Sequence, residues 1–141
     1  MPKIIDVMAV HPDAPEAPKD WRSWLGQIAV AVKSDDGLVG YGVGGGGAAG
    51  VHVVQTVLRD VLLGRDADEI VDIWEAMYRG TLAFGRKGLA IMAISGADLA
   101  LWDLKGKREG TPVWALLGGA KGSKLPVYRT LFSGEDAGAA I

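Results

Sequence analysis

The chain of 141 residues contains no cysteine. That excludes a disulfide framework, a thiol nucleophile and a thiolate metal site, and it fits a cytoplasmic protein. Histidine is nearly as scarce. His11 and His52 are far apart and neither has a histidine one helical turn away, so no zinc site is expected. No apolar run reaches membrane-spanning length, because Asp98, Asp103 and Lys105 interrupt the best candidate. A net charge of −2 favours neither nucleic acid nor an anionic membrane as partner. The opening MPKIIDVMAV is too short and too charged for a signal peptide. There is no G-x-S-x-G and no Gly-Lys pair followed by serine or threonine, which removes the nucleophile elbow and the phosphate loop.

What the chain has is apolar residues, 49% of the total, and 21 glycines clustered at the ends of the predicted elements rather than spread along it. Such a chain fits one domain with a substantial core. Lys3 to His11 reads as a strand, with Ile5, Val7 and Ala9 on one face. Residues 12–26 form a loop, since Pro12, Pro15 and Pro18 exclude a regular ladder. Gln27 to Lys33 alternates, with Ile28, Val30 and Val32 inward. Asp36-Gly37 predicts a two-residue hairpin turn, and Leu38 to Val43 returns with Val39, Tyr41 and Val43 on one face. The three segments make an antiparallel meander.

Gly42, Gly44 and Gly47 spell G-x-G-x-x-G. The motif is a dinucleotide fingerprint only in a parallel βαβ unit. Here the strand before it belongs to an antiparallel hairpin, so nucleotide binding is not expected.

Val51 to Leu63 carries a helical stripe of Val51, Val54, Leu58 and Val61, with Gln55, Arg59 and Asp60 facing water and Gly64 closing the helix. Asp66 and Glu69 have capping-box spacing for a second helix, whose stripe is Ile70, Ile73, Trp74 and Met77 and whose end is Gly80. A long helix spans Lys87 to Glu109. Ala93, Gly96, Ala97 and Ala100 put small residues on one side of it, where another backbone can come close. Trp102 is expected to be buried, on the side of Leu99. Gly110 suits a left-handed cap, and Thr111-Pro112 opens a short helix ended by Gly118 and Gly119. Asp103 pairs with Lys107 four residues on. Asp98 and Asp103 are rotated about 140° apart on a helix and do not form a catalytic pair. Asp98 is expected to bond a backbone amide or a base such as Arg86 or Lys87. Lys124 to Arg129 reads as a short strand, and Ser133 to Ile141 as a disordered tail. The fold class is therefore α+β, a three-stranded antiparallel meander followed by a helical bundle.

The residues Ala93, Gly96, Asp98, Ala100 to Asp103, Gly106 and Lys107, then Pro112 and Leu116 to Gly119, stand at the spacing of A-x-x-G-x-D-x-A-L-W-D-x-x-G-K and its T-P-V-x-x-L-L-G-G sequel. This resembles the N-terminal signature of the mandelate racemase and muconate lactonizing enzyme branch of the enolase superfamily. Leu82 to Gly88, LAFGRKG, is similar to the rhamnonate dehydratase type of sugar-acid dehydratase. The resemblance implies an α+β capping domain over residues 1–122 and, over residues 123–141, the start of a (β/α) barrel without the rest of it. It implies a Mg²⁺-dependent lyase in the full-length family, removing the α-proton of an acid sugar before loss of water. The metal ions there stabilise the ene-diolate. The catalytic groups and Mg²⁺ ligands lie on later barrel strands, so this chain is expected to hold no catalytic residue and no metal ligand and to be inactive alone. Two lid loops, with Trp21, Arg22 and Trp24 on one and Gly45 and Gly46 on the other, are expected to contact substrate. A homo-oligomer is expected. The rivals are a racemase or cycloisomerase of the same branch and a free-standing interaction module without catalysis.

Overall fold

A computed structural model describes residues 1–12, 26–119, 122 and 126–127. Three strands, β1 (Ile4–Val10), β2 (Ile28–Ser34) and β3 (Val39–Gly44), form one antiparallel sheet in the order β1-β2-β3. The meander is as expected from the alternation. Ile28, Val30 and Val32 are buried, as are Val7 and Ala9. Ile5 is not. A register irregularity between Ile4 and Asp6 turns Ile4 inward and leaves Ile5 exposed. The hairpin loop is also longer than Asp36-Gly37 suggests. Ser34 N donates to Leu38 O and Gly37 N to Ser34 O, both at 3.0 Å. Three residues, Asp35 to Gly37, therefore bridge the strands, with Gly37 in the left-handed region at φ 87°, the usual geometry of a three-residue hairpin.

The helical layer begins earlier than its apolar stripe. Helix α1 (Gly47–Val53) passes through a π-helical segment (Val54–Leu58) into α2 (Arg59–Leu62). Val54, Leu58 and Leu62 form its buried line, with Val51 and Val61 only half-buried. Arg59, expected to face water, instead donates from Nη1 to Asp6 Oδ1 at 2.5 Å and Val7 O at 2.7 Å. Helix α3 (Ile70–Thr81) has no side-chain N-cap. The capping box does not form, because Asp66 Oδ1 accepts from Asp68 N at 3.1 Å and its backbone bridges to Lys3. The helix also runs past Gly80 to Thr81. Trp74 is not in the core. It is 38% exposed and stacks on Tyr78 with ring centroids 5.4 Å apart.

Helix α4 (Leu89–Glu109) is the spine. Gly110 caps it at φ 60°, left-handed as expected. It crosses the sheet on β3. The inward face of β3 has no side chains to bury, because it consists of Gly40, Gly42 and Gly44. A Cβ at Gly40 would stand 2.0 Å from Ala100 O, at Gly42 2.1 Å from Gly96 O, and at Gly44 2.7 Å from Met92 O. The small stripe Ala93, Gly96, Ala97 and Ala100 thus admits a backbone, as its spacing predicts, and that backbone is β3. Val39, Tyr41 and Val43 point to the other face. Trp102 is half-buried, packed on the core's rim with Lys105 Nζ 6.0 Å from its ring, and Leu99 is exposed. Leu99 sits beside the β3 edge, where a Cβ on Gly42 would come within 2.9 Å of its own Cβ. In the last short helix, α5 (Val113–Leu116), the N-cap is Pro112, and Thr111 Oγ1 donates back to Glu109 O at 3.1 Å.

Both sheet edges are closed by side chains one helical turn apart. On β3, Tyr41 N donates to Asp103 Oδ2 at 2.7 Å, and Lys107 Nζ donates to Val39 O at 2.9 Å and to Asp103 at 2.5 Å. On β1, Gln55 Nε2 donates to Ala9 O at 2.9 Å and Arg59 to Val7 O. At the far end, Arg108 joins the hairpin to the loop before α3, donating to Asp36 Oδ2 at 2.9 Å and Asp68 Oδ1 at 2.7 Å.

The expected lid residues Trp21, Arg22 and Trp24 lie outside the described residues, as does most of the strand expected at 124–129, of which only Pro126 and Val127 are described. The tail expected at 133–141 lies outside them too.

Candidate functional site

Two loops and Gly26, the last residue of a third, meet at the end of the sheet where β3 gives way to α1. One is the glycine segment. Gly45 N donates to Met92 O at 3.2 Å, and Gly47 N donates to Gly26 O at 2.9 Å. Gly26 ends the 12–26 loop, so Gly45 and Gly46 share a stem with the loop that carries Trp21, Arg22 and Trp24. Gly46 has φ 96°, and a Cβ there would sit 3.1 Å from Leu89 Cδ2; Gly50 lies so close to Gly45 that its Cβ would be 2.1 Å from Gly45 O. Glycine is required here for the turn and for the tight return of the chain.

The same bonds answer the dinucleotide motif. Gly42 and Gly44 belong to a strand pressed on α4, and the amides of Gly45 and Gly47 are taken by Met92 and Gly26. A phosphate cradle needs those amides free, and the sheet is antiparallel.

The second loop is Leu82 to Gly88, leading into α4. Leu82, Ala83, Phe84, Gly85, Arg86 and Lys87 line an open cavity of about 380 Å³. Phe84 is exposed, and among the described residues neither Arg86 nor Lys87 has a carboxylate partner. An apolar ring beside two cations suits a polar, anionic ligand.

The two aspartates of α4 stand apart in role as well as direction. Asp103 is occupied by Tyr41 N and Lys107. Asp98 is half-buried, and burial raises its pKa above the ordinary carboxylate value. Among the described residues no group donates to it. Arg86 and Lys87 precede the helix, and Asp98 is about 14 Å along the axis from its first residue at 1.5 Å per residue, out of their reach. Among the described residues no three of His, Asp and Glu stand together as metal ligands, and no helix is long and apolar enough to cross a membrane.

The sheet and its helical layer define an α+β domain. Residues 5–118 match the model of the mandelate racemase / muconate lactonizing enzyme N-terminal domain, and the chain belongs to that family. It is 43% identical over 106 residues, 75% of its length, to the L-rhamnonate dehydratase of Saccharopolyspora erythraea, covering 27% of that protein. The crystal structure of L-rhamnonate dehydratase from Gibberella zeae superposes with a TM-score of 0.72 at 34% identity, covering 86% of this chain and 36% of that one. A racemase from Streptomyces coelicolor A3(2), solved with bound magnesium, gives 0.71 at 37% identity, covering 83% and 36%. The chain spans about a third of the length of the relatives it matches. The magnesium of such relatives has no counterpart cluster among the residues described here.

Proposed function

We propose that this chain is the N-terminal capping part of a sugar-acid dehydratase acting on rhamnonate or a similar aldonate, to which it contributes loops that close over substrate. The observation that carries the reading is the shared stem of the 12–26 loop and the Gly45–Gly46 turn, held by Gly47 N on Gly26 O, in a chain 43% identical to an L-rhamnonate dehydratase. Loops rooted together on a rigid sheet can close as one lid and exclude water. The overall reaction takes a proton from C2 and hydroxide from C3, and the enol product becomes a 2-oxo-3-deoxy acid. The groups that move the proton and bind Mg²⁺ belong to the part of the enzyme outside this capping domain. The similarity to a racemase at 37% identity gives the second reading, in which the same cap serves another reaction of the branch.

The test joins residues 1–122 to the remaining segment of the Saccharopolyspora erythraea relative. The expected result is Mg²⁺-dependent release of a 2-oxo acid from L-rhamnonate by the chimera and none by the 141-residue chain. Gly45→Ala tests the lid, because the nearest atoms to a Cβ at Gly45 are those of Met92, at an ordinary 3.5 Å. Its expected effect is a rise in KM of about tenfold. Turnover by the isolated chain, or a chimera that racemises acid sugars without dehydrating them, overturns the reading.

A further inference from the structure

The glycine turn after β3 lies on an apolar wall. Gly45 N is fixed to Met92 O at 3.2 Å, and the atoms nearest a Cβ at Gly45 are Met92 Cβ and Sδ at 3.5 Å and Cγ at 3.6 Å. The atom nearest a Cβ at Gly46 is Leu89 Cδ2, at 3.1 Å. Leu89 and Met92 stand in the first turn of α4 at the spacing that shares a face. Neither glycine has a side chain to cover them, and Met92 is left 43% and Leu89 39% exposed. The side chains of this wall supply no donor and no acceptor stronger than a thioether. The amides of Gly45 and Gly47 are already taken, and Ser95, the first polar residue along the helix, donates to its own Ile91 O at 2.9 Å. Arg86 and Lys87 line the neighbouring cavity with Leu82 and Phe84.

We infer, on the reading of this chain as the cap of a sugar-acid dehydratase, that Met92 and Leu89 are specificity-determining residues: they form the subsite for the methyl end of a 6-deoxy sugar acid. C2 and C3 of such an acid react at groups outside the cap, so a cap loop meets the far end of the molecule. L-rhamnonate, which gives the 43% identical relative its name, ends in a methyl group at C6. L-mannonate differs from it only by a hydroxyl there. The methyl gains by leaving water for the Met92 and Leu89 side chains. The hydroxyl gives up its hydrogen bonds to water and finds none in return. An apolar surface rejects an added hydroxyl by about a hundredfold at most. This wall is partly open, so a preference of about tenfold is expected.

The chimera described above is assayed with both acids. Its kcat/KM is expected to be about tenfold higher for L-rhamnonate than for L-mannonate. Met92→Gln keeps the length of the side chain and adds a donor and an acceptor, and it is expected to remove most of that preference. Met92→Leu, still apolar, is expected to keep it. Met8→Gln, an exposed methionine on β1, is expected to leave the ratio as it is. Should Met92→Gln lose its circular dichroism, Leu89→Gln makes the same test. A side chain that only packs against the rest of the enzyme changes both constants together and leaves their ratio alone. Equal kcat/KM for the two acids in the unmutated chimera, or a ratio that Met92→Gln and Leu89→Gln do not move, therefore overturns the inference and leaves the dehydratase reading standing. A chimera inactive on both acids overturns that reading and the subsite with it.

Discussion

Gly42 packs so closely on the backbone at Gly96 that a Cβ on it would stand 2.1 Å from the Gly96 carbonyl oxygen and 2.6 Å from Ala100 N. Both neighbours are helix backbone and neither can rotate away. Gly42→Ala must therefore lift α4 from β3 along the strand, with an expected cost of about 3 kcal/mol or more. Gly80→Ala makes the control. Gly80 is in the last turn of α3, and its Cβ would meet Val61 Cγ2 at an ordinary 3.4 Å, so Gly80→Ala is expected to leave stability unchanged or raise it by up to about 0.5 kcal/mol. Urea midpoints of the two variants check the pair. A Gly42→Ala midpoint close to wild type would show that α4 is not seated this tightly.

That contact also shows what the sequence concealed. Pattern reading looks for buried apolar side chains, and on β3 the alternating Val39, Tyr41 and Val43 take the eye. The buried set is the intervening glycines, and the clue was the matching period of small residues on α4. The meander, the three main helices and the Gly110 cap were legible because each rests on local chemistry: alternation, a 3.6-residue stripe, a residue free to adopt positive φ. Trp74 and Trp102 keep partners on their own helices, Tyr78 and Lys105, at the rim of the core, whereas the surroundings of Arg59 come from a distant segment. Arg59 meets Asp6, 53 residues away. Of the candidate site, Gly45 and Gly46 could be found as a loop, but their link to Gly26 is tertiary.

Asp36 predicts a pH dependence. Hydrogen bonds from Ser34 Oγ and from Arg108 hold its pKa down to about 2, against an ordinary 3.8. Between these values the unfolded chain binds the proton more readily than the folded one. The stability that Asp36 contributes is thus complete above its unfolded pKa and is lost as pH falls from about 4 towards 2. Asp36→Asn is expected to cost about 1 kcal/mol near neutrality, the low end for a charged hydrogen bond because water reaches the site. The difference from wild type is expected to close as the pH approaches 2. An equal difference at both ends of that range would mean that the carboxylate charge contributes nothing.

Asp98 works with the opposite sign. Burial raises its pKa, so the folded chain holds the proton more readily, and ionisation penalises the fold as pH rises through that raised value. Asp98→Asn removes the penalty with little change of shape. The expected outcome is a small gain in melting temperature at pH 7, a fraction of a kcal/mol since the residue is half-exposed, which vanishes below the ordinary carboxylate range. A loss of stability at pH 7 would show that a donor reaches Asp98 after all.

Asp103 joins stability to the sheet edge. Its Oδ2 accepts Tyr41 N at 2.7 Å and Lys107 Nζ at 2.5 Å, while Lys107 also reaches Val39 O. The pair thus supplies to β3 the acceptor and donor that a fourth strand would offer. Asp103→Ala removes the acceptor and leaves Lys107 without its carboxylate, for an expected cost of about 1–2 kcal/mol. Asp103→Asn keeps an oxygen for Tyr41 N and is expected to lose less. The sharper readout is association. With the Tyr41 amide uncovered, β3 becomes an edge able to pair with another chain, so Asp103→Ala is expected to scatter light on standing at concentrations where wild type and Asp103→Asn stay clear. If the alanine variant is destabilised but no more prone to associate than the asparagine one, the carboxylate supports the helix and does not guard the strand.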